Sequence, residues 1–303
     1  LPILWKFIIS YRYNGVTFVS DKKEIPKSRQ LDQFYTNPEY AKQFINKIDQ
    51  TITFSKYDII LEPSAGNGSF YHNLDTNKRI GLDIDPKADD IINTNFFEWA
   101  PPEDKLIATV GNPPFGKNSV TAIKFFNYAA TFSETISFIV PKTFRKASVI
   151  NRLDKKFKLI YDEVVPINSF IFNDKPYDVP CCSQIWIKGD EDRPVIKTFK
   201  IEELNEYFEI VEPACSDFAI QRVGSKAGVI KIEDRMKYSK QSNFFIKAHH
   251  PFVLEIFKQV NFEVVKYNTA GNPSISPSEL VELWLDKANE MGYNITLKTE
   301  NKL

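Results

Sequence analysis

At 303 residues and 43% hydrophobic, the chain is long enough to bury one large core or two modest ones. Basic and acidic residues balance at 39 each, which excludes a global field drawing the protein onto a polyanion; any nucleic-acid contact has to use local basic patches. Three cysteines (Cys181, Cys182, Cys215) without a Cys-x-x-Cys pair, and three histidines (His72, His249, His250), argue against a metal site and for a reduced, cytoplasmic compartment.

Residues 1–10 are apolar but far shorter than a membrane span, with no basic leader or small-residue cleavage site, and the missing initiator Met points to an incomplete N-terminus. Asn14-Gly15 between β-formers predicts a hairpin within residues 1–20, followed by a polar connector to residue 29. Thr36 stands three residues before Glu39, with Pro38 in the first turn. This predicts a capping box opening an amphipathic helix that carries Phe44, Ile45 and Ile48 on one face.

Residues 57–61 read as a buried strand running into Glu62-Pro63-Ser64-Ala65-Gly66-Asn67-Gly68-Ser69-Phe70. Gly66 and Gly68 let the backbone approach a ligand and turn tightly into a helix. About twenty residues later a second strand ends in Asp83 and Asp85, the spacing at which an acid reaches ribose hydroxyls. The third glycine of a dinucleotide site is missing, because Phe70 and Tyr71 follow, so the expected ligand is a nucleoside.

A third strand near 91–93 precedes Asn95-Phe96, and a fourth, 106–110, leads into Gly111-Asn112-Pro113-Pro114-Phe115-Gly116. The two prolines end that strand and present an amide, two rigid carbonyls and an aromatic ring at its carboxyl end, where open α/β sheets bind ligands. Such a cluster suits an exocyclic amine on a planar ring. Asn112 and the Pro113 carbonyl can accept its two hydrogens while Phe115 stacks on the ring. The competing reading is a Pro-Pro turn with a core phenylalanine.

Helix 119–131, strand 135–140 and a basic amphipathic helix over 147–157 follow. Strands 159–166 and 183–188 then pair around an aromatic loop containing Phe170, Phe172 and Tyr177. The acidic, Pro-containing stretch 189–194 marks a domain boundary. Beyond it, Arg222, Lys226, Lys231, Arg235, Lys237, Lys240 and Lys247, interleaved with Tyr238, Phe244 and Phe245, form either a solvated face with a few core aromatics or a nucleic-acid surface. Ser276 and Glu279 predict a capping box for a helix that stops at Gly292.

The ordered set Gln33-Phe34-Tyr35-Thr36, Glu62 to Phe70, Gly81-Leu82-Asp83-Ile84-Asp85-Pro86 and Asn112-Pro113-Pro114-Phe115 resembles the S-adenosylmethionine-dependent amino-methyltransferases. It is most similar to the gamma class of DNA adenine-N6 methyltransferases, over roughly residues 30–188. The resemblance implies an α/β class I methyltransferase (Rossmann-like) fold: a seven-stranded sheet with a smaller C-terminal α+β domain. The expected division is a hairpin and connector (1–29), a catalytic domain (30–188) and a target-recognition-like domain (189–303).

By position, the resemblance places Phe34, Tyr35 and Thr36 against the methionine end of S-adenosyl-L-methionine. Glu62, Pro63, Ser64, Ala65, Gly66 and Gly68 wrap the cofactor, Asp83 takes its ribose, and Asn95 and Phe96 lie at its adenine. Asn112, Pro113, Pro114 and Phe115 hold the target amine, with Phe170 or Phe172 closing on the base. The family commonly has an acid where this chain has Asn95, which weakens that hydrogen bond by about 1 kcal/mol. Lys142, Arg145, Lys146 and Arg152, with the stretch containing Arg222 and Lys226, are the expected phosphate contacts. The implied partner is DNA, with no metal and no membrane, for a protein acting as a monomer. RNA adenines, protein glutamine and an inactive cofactor-binding scaffold are the alternatives.

Overall fold

The computed structural model describes residues 10–13, 16–19 and 35–298. Strands Ser10–Tyr13 (β1) and Val16–Val19 (β2) pair antiparallel with Tyr13 opposite Val16, as the Asn-Gly signal predicts. Tyr35–Thr36 (β3) precedes helix α1, Pro38–Ile52. The cap of α1 differs from expectation: Asn37, not Thr36, is the N-cap, and its side chain accepts from the Glu39 N–H at 2.9 Å. Thr36 is unavailable because it lies in a strand, opposite Phe170.

The central sheet comprises Ile59–Glu62 (β4), Arg79–Asp83 (β5), Ile92–Asn93 (β6), Ile107–Gly111 (β7), Thr135–Pro141 (β8), Phe157–Val164 (β9) and, after a short hairpin, Cys181–Lys188 (β12). Its order is β6-β5-β4-β7-β8-β12-β9. β4 through β8 run parallel, and β12 runs antiparallel to both neighbours. The order reverses between β4 and β7, so their carboxyl ends open the crevice in which such sheets bind ligands. The mixed α/β architecture with a seven-stranded sheet is the expected fold class.

Alternate residues of each central strand serve opposite faces, as a sheet covered on both sides requires. Leu61, Ile107, Ile136 and Phe138 share one core with Ile123 and Phe126 of helix α2, Val120–Ala130. Ile60, Ala108, Val110 and Ile139 share the other with Phe44, Ile45 and Ile48 of α1. The hairpin Phe170–Phe172 (β10) and Lys175–Tyr177 (β11) adds β3 to make a three-stranded sheet of order β11-β10-β3.

Two expected helices are shortened. The glycine turn runs into a single 3-10 turn, Tyr71–Asn73. The expected helix over 147–157 is one turn, Ala147–Ile150 (α3). Side chains take the backbone groups that would continue it: Asn127 bonds the Arg152 carbonyl and the Asp154 N–H, and Arg193 bonds the carbonyls of Ile150 and Leu153.

Beyond residue 200, Phe208–Ile210 (β13), Phe218–Gln221 (β14), Ile230–Lys231 (β15) and Asn243–Ala248 (β16) form an antiparallel sheet of order β13-β16-β14-β15. Helices Phe252–Gln259 (α4), Glu263–Lys266 (α5) and Pro277–Glu290 (α6) accompany it. They share a separate core around Phe208, Phe218, Phe257 and Trp284. The α6 capping box is present, with Ser276 Oγ accepting from the Glu279 N–H and Glu279 Oε2 from the Ser276 N–H. Phe244 and Phe245 are core aromatics, the first of the two readings of this stretch: adjacent on β16 they point to opposite faces, and both are covered, at 4% and 2% exposure.

Candidate active site

A cleft of about 350 Å³ opens where β4, β5 and β7 end. On leaving β4, the chain turns at Gly66, whose φ of +52° suits glycine. A Cβ there would stand 2.9 Å from Cε1 of Tyr35. The Gly66 N–H donates to Asp83 Oδ2 at 2.7 Å and the Asp85 N–H to Oδ1 at 2.8 Å. The glycine turn and the acid ending β5 are thereby locked into one wall.

β7 delivers the Asn-Pro-Pro-Phe segment to the same place. Asn112 Nδ2 donates to Thr36 Oγ1 at 3.1 Å, and Ser64 Oγ donates to the Asn112 backbone carbonyl at 3.2 Å. Thr36 is itself fixed by the strand pairing of β3 with β10. At the far end Gly116 has φ +67°, and a Cβ would overlap Thr121 Oγ1. Asn118 and Ser119 follow with φ of 54° and 60°, two successive non-glycine residues in a left-handed conformation. Such strain persists only where surroundings enforce it. Here the Ser119 and Thr143 hydroxyls bond at 2.7 Å.

The segment stands between two spaces. Asn112 and Pro114 line the first cleft, while Phe115 lines a second of about 480 Å³, with Thr143, Lys146, Tyr177, Thr269 and Ser274. Pro113 is buried between them.

The chemistry of the first cleft fits S-adenosylmethionine. Glu62 is 2% exposed, and its Oε2 has no hydrogen-bond partner. Burial pushes this carboxyl well above the usual carboxylate range. An orphaned acid in a ligand cleft matches a cationic group, as on the cofactor's methionine end. Asp83 matches its ribose hydroxyls. Ile84 at 59% exposure and Phe97 at 39% supply open apolar surface for a planar base.

Tyr35, Thr36, Glu62, Pro63, Ser64, Ala65, Gly66, Asp83, Asn95, Phe96 and Asn112 all meet in this cleft. Phe34 lies outside the described residues. Gly68 turns the backbone at φ +81° against His72 and is not on the wall. Phe96 is 2% exposed and stacks on Phe125 at 5.1 Å, so it supports the floor while Phe97 offers the open ring. The Asn95 amide is engaged, accepting from the Phe97 N–H at 3.2 Å and donating to Glu98 at 3.0 Å. Sequence reasoning missed Ile84, Phe97, Phe125 and Thr121. Ile84 alone carried a signal, as an apolar residue directly after the strand-ending acid.

Of the two aromatics expected to close on a base, Phe170 has no free face, because it is 1% exposed within the core beneath α1. Phe172 lies half-buried against Tyr177 at 5.7 Å, and Tyr177 faces the second cleft. Arg145 is held by Asp162, Nε to Oδ1 at 2.8 Å, which removes it as a ready phosphate contact. Lys142 is half-buried, and Arg152 and Lys226 are exposed. Arg222 lies over the Phe244 ring at 5.2 Å. Lys237, Lys240 and Lys247 pair with Asp234, Glu212 and Asp217. Among the described residues no cluster of His, Cys, Asp or Glu is placed to hold a metal, and no helix is long and apolar enough to cross a membrane.

No family model matches the chain, and no curated protein matches it. Among solved structures it is similar to PH1948 from Pyrococcus horikoshii, described as a candidate RNA methyltransferase. The identity is 15%, over 55% of this chain and 91% of that one, with a TM-score of 0.44. The 23S rRNA methyltransferase ErmE is 16% identical over 55% of this chain and 72% of its own, with a TM-score of 0.39. A candidate class I S-adenosylmethionine-dependent methyltransferase from Listeria monocytogenes is 14% identical over 54% and 63%, with a TM-score of 0.38. The functional reading therefore rests on the geometry of the site.

Proposed function

We propose that the chain is an S-adenosylmethionine-dependent methyltransferase acting on the N6 amine of adenine in DNA, with the base flipped out of the stack. The observation that carries this reading is the position of Asn112-Pro113-Pro114-Phe115 between a cleft fitted to the cofactor and a second cleft at Phe115. A group bound on each side meets at Asn112.

When bound, S-adenosylmethionine supplies a methyl group on a sulfonium. Glu62 would face its methionine end, Asp83 its ribose hydroxyls, and Ile84 and Phe97 its adenine. The Asn112 side-chain oxygen and the Pro113 carbonyl accept the two amine hydrogens of the acceptor base, turning the nitrogen lone pair out of the ring plane. Phe115 stacks on that base, worth about 1–3 kcal/mol. Each neutral hydrogen bond adds about 0.5–1.5 kcal/mol, so these groups mainly orient. Holding nitrogen and methyl in line can contribute about 7–11 kcal/mol. Extrusion of the base is required because an amine inside a duplex cannot reach the cleft.

A nucleic acid is favoured over a protein acceptor by Phe115 and by the exposed Lys226 of the C-terminal layer, and DNA over RNA by the order of the motifs alone, with the cofactor segments first and a separate C-terminal layer last. The test is methyl transfer from labelled S-adenosylmethionine into separate pools of duplex DNA, RNA and protein. Label recovered as N6-methyladenine from DNA is expected. Label confined to RNA, or recovered as methylglutamine, overturns the assignment of acceptor.

A further inference from the structure

At the second cleft an ion pair joins the two halves of the chain. Lys146 follows β8 and lines the cleft, and its Nζ lies 3.0 Å from Oε2 of Glu279 in α6. Both side chains are largely buried, at 16% and 11% exposure. The same Oε2 accepts from the Ser276 N–H at 2.8 Å and the Ser276 hydroxyl at 2.8 Å. The carboxylate is thus fixed by its own helix cap before Lys146 reaches it, and it offers the lysine a set position.

Around this pair, the catalytic layer contributes Phe115 and Thr143 to the cleft, and the C-terminal layer contributes Thr269 and Ser274. The latter loop is anchored in its own layer, since the Gly224 N–H donates to the Pro273 carbonyl and the Ile275 N–H to the Arg222 carbonyl, at 2.8 and 2.9 Å. Lys146, largely buried and paired with Glu279, is a poor phosphate contact where it stands. We propose that Lys146 and Glu279 are positioning residues that set the width of the acceptor cleft, holding residues 269–274 at the distance from Phe115 that admits one planar base.

The proposal rests on the reading of the second cleft as the acceptor site. Its test is steady-state methyl transfer to a duplex DNA pool by wild type, Lys146→Met and Lys146→Arg, with cofactor affinity measured calorimetrically on each. Lys146→Met is expected to raise KM for DNA at least tenfold and lower kcat severalfold, with the cofactor Kd changed less than twofold. Lys146→Arg, which restores the charge, is expected to recover most of the KM. If KM for DNA is unchanged in Lys146→Met while wild type transfers normally, the clamp is wrong and the function stands. If cofactor affinity falls together with KM, the pair is a general structural element and the clamp is again wrong. No transfer by wild type to DNA overturns the acceptor reading and the clamp with it.

Discussion

The side-chain amide of Asn112 donates from Nδ2 to Oγ1 of Thr36 at 3.1 Å, joining the end of β7 to the short strand β3. Thr36 is 3% exposed, and its backbone pairs with Phe170, so the acceptor cannot drift. The bond holds the plane of the Asn112 amide at the end of β7. The position of the Asn112 side chain is thus set by a strand more than seventy residues upstream.

Replacing Thr36 by Val keeps the shape and removes this bond. Single-turnover methyl transfer is expected to slow about 3–10-fold, the value of one neutral hydrogen bond. Thr36→Ser retains the hydroxyl and is expected to restore the rate. Equal rates in Thr36→Val and wild type would show that the amide is oriented by other means.

Glu62 gives the ligand-free protein a distinctive pH dependence. Its folded-state pKa lies above the unfolded value because burial disfavours the carboxylate. Its contribution to stability is therefore complete below the ordinary carboxylate range and is lost as pH rises through the raised folded value. Thermal unfolding across that window is expected to show stability falling with pH in wild type and a flatter profile in Glu62→Gln. The same substitution is expected to weaken S-adenosylmethionine binding. Calorimetry in buffers of different ionisation enthalpy should further show proton release when wild type binds the cofactor.

The two hairpin aromatics separate core from site. Phe170→Ala is expected to cost about 3–5 kcal/mol of stability in denaturant unfolding, as for a buried aromatic. Tyr177 is 41% exposed and lines the second cleft. Tyr177→Ala is expected to leave stability nearly unchanged and to raise KM for the nucleic-acid acceptor, by up to the roughly 1–3 kcal/mol that base stacking provides.

Salt dependence tests the basic residues one at a time. Lys226→Ala should reduce the slope of log affinity against log salt by about 1 if this exposed lysine meets a phosphate. Arg145→Ala should leave that slope intact and lower the melting temperature, because it leaves Asp162 without its guanidinium partner.

The sheet was legible in the sequence because β4, β7 and β8 are short, mostly apolar runs and the candidate site residues sit where the strands stop. Glu62, Asp83 and Asn112 each mark or follow a strand end. Where reading failed, long-range partners overrode a local signal. Thr36 looks like an N-cap until Phe170 claims its backbone. The run over 147–157 looks helical until Asn127 and Arg193 take the groups a longer helix would use. Phe170 could not be told from a site aromatic, since strand alternation alone does not say which face is covered. The second cleft was hidden altogether, because Phe115 and Ser274 meet only in the folded chain.

The most direct test of the account is the rate of methyl transfer by Asn112→Ala at saturating S-adenosylmethionine, measured by rapid quench on adenine-containing duplex DNA alongside cofactor binding. The account predicts a loss of at least about 10²-fold in the chemical step, the scale set by misplacing a reacting group, with cofactor affinity little changed. Transfer at the wild-type rate by Asn112→Ala would contradict it, and the catalytic centre would then have to be sought away from the end of β7.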